Sequence, residues 1–193
     1  MTAGILLAAG SASRFGAQKL LAPLHGRPLV LHALTALLPA VEHLIAVVGP
    51  NNDTLAALLA HAGASVVVCD DAALGMGHSL ACGARHAPTG VDLLIALGDM
   101  PQVTTTSVRL IAAALTDGAG IAVPVYAGQR GHPVGFAARF TPLLCGLTKD
   151  QGARTVLLAH ADAVQEFAVD DPGVLADVDT PADLQRLSEN PAG

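Results

Sequence analysis

Tryptophan is absent from these 193 residues, and the other aromatics amount to one Tyr and four Phe. That scarcity argues against the stacked-ring platforms that hold single-stranded nucleic acid, and it leaves the core to aliphatic side chains. Cations are also few: ten Lys and Arg stand against sixteen Asp and Glu, for a formal charge of −6. A nucleic-acid partner is therefore not expected, although net charge leaves room for a small local basic site. The three cysteines, Cys69, Cys82 and Cys145, are far apart and form no C-x-x-C pair. Neither a disulfide framework nor a zinc site is expected of them, and they read as small apolar core residues. No stretch approaches the roughly 18 apolar residues of a membrane span, so no membrane partner is expected. The opening "MTAGILLAAGSAS" ends in small residues, but it lacks a basic leading segment and its apolar run is too short for a signal peptide. The expected compartment is the cytoplasm.

What is present is a chain 52% hydrophobic with 20 glycines, the composition of a turn-rich globule whose length suits a single domain over 1–193. Short apolar runs at 4–9, 43–49, 65–68, 92–98 and 120–126 are too continuous for half-exposed strands and suit strands covered on both faces. Helical patterns lie between them, around 28–38, 52–62, 77–87 and 104–116. This alternation predicts an α/β fold, a three-layer α/β/α Rossmann-like sandwich with a mostly parallel sheet. After residue 126 the rhythm changes. "RGHPVGF" reads as a turn entering a short strand, "DQGARTVLLAH" as a short helix and "AVQEFAV" as a strand, with 126–170 forming part of one cleft wall. "DVDTPADLQRLSE" reads as a loop, a Thr180 cap, Pro181 at the first helical position and an acidic first turn at Asp183.

In such sheets ligands sit beyond the carboxyl ends of the strands, which places the loop after "GILLAA" at a ligand. "GSASRFGAQK" is neither a P-loop, since no Gly-Lys pair follows at the required spacing, nor G-x-G-x-x-G, since Ala12 stands at the second glycine position. Its two cations, Arg14 and Lys19, can converge on one polyanion from a small-residue loop whose backbone N–H groups approach phosphates closely; otherwise they are two solvated surface charges. Asp99, in "LIALGDMP", should end a buried strand, and Asp177 and Asp179 fall in a second strand-to-helix connection. Two carboxylate loops at one sheet edge can share a hard cation such as Mg²⁺. Alternatively, Asp99 is an ordinary turn residue and Asp179 helps to cap the last helix.

The pieces "LLAAGSASRFGAQK", "GMGHSL", "LGDMP", "RGHPVGF", "DQGAR" and "DVDTPADL" resemble, in order and spacing, the MobA-like nucleotidyltransferases, and most of all the molybdenum cofactor cytidylyltransferases. The chain departs from the family pattern in having Ala12-Ser13 after Ser11, Phe15 in place of Met, and His78 where a smaller polar residue is usual. The resemblance implies a nucleotide-diphospho-sugar transferase-like fold. It also implies that Leu7, Ala8, Ala9 and Gly10 line the base and ribose, that Arg14 and Lys19 bind the triphosphate and act catalytically with Asp99, and that Gly75 and Ser79 contact the nucleoside. Asp99 would hold Mg²⁺ with Asp179 or Asp177, while Gly131, His132, Pro133 and Arg154 would face a molybdopterin acceptor. The implied reaction moves CMP from CTP to molybdopterin with release of pyrophosphate, with a molybdoenzyme or its maturation chaperone as a further partner. The alternatives are GTP or a sugar or alcohol phosphate in the same chemistry, a dinucleotide-dependent oxidoreductase, and a non-catalytic cofactor-binding accessory. The missing G-x-G-x-x-G spacing counts against the oxidoreductase.

Overall fold

The computed structural model describes residues 1–10, 18–148, 150 and 152–189. It begins with strand β1 (Thr2–Ala8), a short ribbon of β2 (Pro23–Leu24) and β3 (Arg27–Pro28), helix α1 (Leu29–Leu37), β4 (His43–Val48), α2 (Asp53–His61) and β5 (Ser65–Val68). Helix α3 (Met76–His86), β6 (Asp92–Leu97), α4 (Thr105–Thr116), β7 (Ile121–Tyr126), β8 (Gln129–Arg130) and β9 (Val134–Phe136) follow. The chain then runs through α5 (Thr141–Cys145), α6 (Arg154–Ala159), β10 (Val164–Ala168) and α7 (Pro181–Glu189).

The main sheet has the order β10-β7-β9-β6-β1-β4-β5, with β8 added to β7. β4, β1 and β6 run parallel, as do β4 with β5 and β7 with β10. The apolar runs thus form parallel strands, but the run at 65–68 is not covered on both faces as expected: β5 ends the sheet, none of its residues is buried, and Val68 is 54% exposed. The change of rhythm after residue 126 has a structural counterpart in β9, which inserts antiparallel between β6 and β7. A tight turn at Ala127 (φ 48°) and Gly128 (φ 77°) reverses the chain there, a backbone shape suited to two-residue hairpins.

Strand alternation builds the layers. On β1, Leu6 and Ala8 join a core with α1, α2 and α4, whereas Ala3 and Ile5 join one with α3, α5 and α6. The same split recurs on β4 and β6, so both faces are covered and the sandwich has three layers. Ile5, Leu6, Leu93 and Leu94 are fully buried, each contributing about 1.5–3 kcal/mol by removal from water. Helix α3 lies especially close: a Cβ at Gly83 would come within 2.7 Å of Ile5 Cγ2. Phe136 and Phe140, packed edge to face at 6.4 Å, are the aromatic exceptions to an aliphatic core. Cys69 is buried, and Cys82 and Cys145 are half-buried; all three are free thiols. Burial, reinforced by the neighbouring Cys69 thiol, pushes the Cys82 thiol up to about 11.

The last helix begins as its sequence predicts. Thr180 Oγ1 accepts from the Asp183 N–H at 3.2 Å, and the Asp183 carboxylate accepts in return from the Thr180 N–H at 2.7 Å. These bonds, with the Thr180 hydroxyl first, draw the Asp183 carboxyl down to about 2. The same carboxylate accepts from the Asp179 N–H at 3.1 Å, so the cap also fixes the backbone of Asp179.

Candidate functional site

The carboxyl edge of the central strands gathers charge. Gly98 N–H donates to the Leu7 carbonyl at 2.9 Å, which continues the β1–β6 pairing up to Asp99. Asp99 is met from the other side by the segment before α7, whose Val178 N–H donates to the Asp99 carbonyl at 2.9 Å. This backbone tie sets the two carboxylate loops beside each other.

Lys19 projects between them. It opens a short turn, Lys19–Leu21, anchored by buried Leu20. Its Nζ donates to Asp99 Oδ2 at 2.8 Å and reaches Asp179 Oδ1 at 3.4 Å. The lysine side chain is 13% exposed, against 26% and 51% for the two carboxylates, so the ammonium is the most shielded member of the cluster. Asp177 is exposed and stands on the His132 side of the same loop. Arg14 lies outside the described residues. Among the described residues no group of three or more His, Cys, Asp or Glu is arranged to hold a metal. Two aspartates converging on one ammonium nevertheless offer hard oxygen donors at one point, a donor set that fits a hard divalent cation completed by substrate oxygens.

Next to this cluster is a cleft of about 190 Å³ whose lining includes Leu7, Ile95, Arg130, Gly131, His132 and Arg154. Three of the four residues expected at the acceptor, Gly131, His132 and Arg154, thus share one wall system. Pro133 lines instead a small apolar cavity with Met100 and Val108. Gly131 is required by a close approach, because a Cβ there would collide with the Val174 carbonyl. His132 is half-buried; its N–H donates to the Val174 carbonyl at 2.9 Å, while its enclosed Nδ1 has no hydrogen-bond partner among the described residues. Burial pulls its imidazole below the ordinary histidine range, opposed by the Ile95 carbonyl and the Asp99 and Asp177 carboxylates.

That shift has a sign. An unfolded histidine takes up a proton near pH 6.5 while the folded one stays neutral to lower pH, so the unfolded state binds more protons as pH falls. The stability carried by neutral His132 is complete above about pH 6.5 and is lost as pH falls below it. Thermal melts at pH 7.5 and 5.5 should show a smaller acid loss in His132→Gln than in the wild type. An equal loss would mean that the ring is already charged or solvated in the folded protein.

Of the residues expected at the nucleotide, Leu7 lines the cleft, Ala8 is buried toward α1, and Ala9 is half-buried on the α3 side. Gly10 is exposed, with no atom within 4 Å of where a Cβ would stand. Gly75 has φ +128°, and a Cβ there would sit 2.7 Å from Asp150 Cα, so "GMG" and "DQGAR" touch through this glycine. Ser79 is buried one turn before Gly83 on the sheet-facing side of α3.

Two further residues, one in the cleft and one behind its wall, bear on the site. Arg130 lines the cleft and pairs with Glu166 at 2.7 Å. Asp171 is 4% exposed and accepts four hydrogen bonds. An aspartate directly before Pro172 was the available signal, because Asp-Pro is a helix-start signature.

The chain is similar to known proteins over nearly its whole length. Residues 4–164 match the family model of the MobA-like NTP transferase domain. The chain is 34% identical to the purine catabolism protein PucB of Bacillus subtilis, over 95% of this chain and 94% of that one. It is 31% identical to nicotine blue oxidoreductase of Paenarthrobacter nicotinovorans, over 95% of each. Among solved structures, Rv0371c of Mycobacterium tuberculosis superposes with a TM-score of 0.86 at 30% identity, covering 97% of this chain and 98% of that one. The same mycobacterial protein has also been solved in complex with manganese.

Proposed function

Because this chain belongs to the MobA-like NTP transferase family, we propose that its nucleotidyltransferase activity moves CMP from CTP to the terminal phosphate of a molybdopterin-type acceptor. The observation that carries this reading is the Lys19–Asp99–Asp179 cluster at the carboxyl edge of the central strands, with the Asp99 carboxylate near enough to act on His132, which lines a cleft together with Arg154. An acceptor phosphate oxygen forms a bond to the α-phosphorus of CTP, the bond from that phosphorus to the β-phosphate bridging oxygen breaks, and pyrophosphate leaves with the electron pair. A phosphate monoester is already anionic near neutral pH, so no general base is needed. Catalysis then rests on positioning and on neutralising charge.

Asp99 and Asp179 would hold Mg²⁺, which when bound offsets charge on the phosphate oxygens. Lys19 leaves the carboxylates for the phosphates, and Arg14 offsets charge on the leaving group. Arg154 receives the acceptor's phosphate, while Ile95 and Leu97 give its organic body an apolar wall. Gly75 and Ser79 sit where the nucleoside would lie, between β1 and the start of α3. The relative named as an oxidoreductase shares the fold, but a lysine held between two aspartates has no task in hydride transfer.

Base choice is assigned to Ala9. Family members that use guanine carry L-A-G-G where this chain has Leu7-Ala8-Ala9-Gly10, and a β-carbon at residue 9 narrows the space beside the base, excluding a purine more than a pyrimidine. Wild type should prefer CTP over GTP, and Ala9→Gly should relax that preference by admitting GTP, not by abolishing use of CTP. Turnover per unit concentration for each nucleotide in both proteins decides this. An unchanged ratio defeats the steric account, and a wild-type preference for GTP overturns the cytidylyl assignment.

A further inference from the structure

Asp171 touches none of the groups assigned to the reaction, yet its carboxylate is almost fully enclosed. Oδ2 accepts from the Thr104 N–H at 2.9 Å, the Thr104 hydroxyl at 2.8 Å and the Ser107 hydroxyl at 2.6 Å, at the start of α4. Oδ1 accepts from the Gly173 N–H at 2.9 Å. The next residues press so closely on the sheet edge that a Cβ at Gly173 would collide with the Gln102 carbonyl. Val174 then takes the His132 N–H at 2.9 Å, and four residues later Val178 donates to the Asp99 carbonyl at 2.9 Å. One strap, residues 171–179, therefore forms the backing of the acceptor wall at Gly131 and His132 and carries Asp179 to Lys19. Val174 and Val178 bury apolar side chains along it, and Asp171 is its buried polar anchor.

We propose that Asp171 is a positioning residue that sets the acceptor wall and the second carboxylate together, by fixing this strap to the first turn of α4. The proposal takes the nucleotidyl-transfer reading as its premise for the kinetic effect, though not for the structural one. Asp171→Asn is the sharpest probe, because an amide presents NH₂ to one of two groups of donors and leaves N–H facing N–H. The strap should then open more often, and the His132 amide should exchange its hydrogen at least about tenfold faster than in wild type. With CTP and molybdopterin, the KM for molybdopterin should rise about fivefold while that for CTP stays within about twofold, a split that general weakening does not produce.

Leu59→Ala, in the buried face of α2 at the far edge of the sheet, serves as a destabilised control and should show neither change at a temperature well below its melt. If Asp171→Asn does not fold, Ser107→Ala, which removes the 2.6 Å bond to Asp171 and the 3.1 Å contact with the Thr104 hydroxyl, should show the same pattern in smaller degree. Unchanged His132 exchange in the folded variant, or the same exchange and KM pattern in Leu59→Ala, overturns the proposal. Faster exchange confined to the strap and to His132 supports it even if wild type turns over no CTP with molybdopterin, a result that would overturn the assigned reaction instead.

Discussion

Asp99→Asn should lower turnover by about 10²-fold or more while leaving the fold in place. Both halves of that expectation come from the site. The backbone carbonyl of Asp99, not its side chain, takes the Val178 N–H, so an isosteric amide keeps the tie between the two carboxylate loops. What is lost is the charge, and with it both the 2.8 Å partner of Lys19 and one of two hard donors for a cation. Pyrophosphate release and a thermal melt on the same preparation separate the outcomes. Near-normal Mg²⁺-dependent turnover would remove Asp99 from the mechanism. Asp177→Asn and Asp179→Asn, made separately, should divide unequally, with the larger loss at Asp179, since Asp179 is the one that reaches Lys19.

Lys19→Ala should produce the second large effect, again about 10²-fold in turnover, with a smaller change in affinity for the acceptor, because its charge is wanted where negative charge is handled in the transition state. A second readout follows from its resting position. If Asp99 and Asp179 hold the cation as proposed, an ammonium at 2.8 and 3.4 Å from their oxygens competes with it for them. Without nucleotide, Mn²⁺ titrated into Lys19→Ala and followed by electron paramagnetic resonance should bind about tenfold tighter than to wild type. Weaker Mn²⁺ binding would show that Lys19 organises the carboxylates and does not compete for their place. Arg14→Lys should also be costly, since a point charge does not replace a planar fork on phosphate oxygens.

The central strands were legible because burial on both faces leaves an unbroken apolar run, and "GILLAA", "HLIAVVG" and "DLLIALG" each bound a strand within a residue or two. The last helix was legible because Thr180, Pro181 and Asp183 state their capping roles locally. The direction of β9 was not: "HPVGF" reads as a strand, but its antiparallel insertion depends on a turn at Ala127 and Gly128 and on long-range pairing with both β6 and β7. At the site, the convergence of Asp99 and Asp179 followed from two loops at one sheet edge. The pairing of Lys19 with both carboxylates did not follow, because the reading aimed Lys19 at phosphate alone. Asp171 escaped for a related reason. Its meaning lies in donors 64 to 67 residues away at Thr104 and Ser107, which no local pattern reveals. Pro133 shares a motif with Gly131 and His132, and it lines an apolar cavity that His132 also reaches, which only the folded chain reveals.

The most direct measurement is pyrophosphate release by the purified protein with molybdopterin, Mg²⁺ and each nucleoside triphosphate in turn, with mass analysis of the acceptor product. The account predicts pyrophosphate in step with an acceptor enlarged by one CMP, fastest with CTP and dependent on both molybdopterin and metal. Pyrophosphate release that is indifferent to molybdopterin, or transfer of a purine nucleotide in preference to CMP, would contradict it.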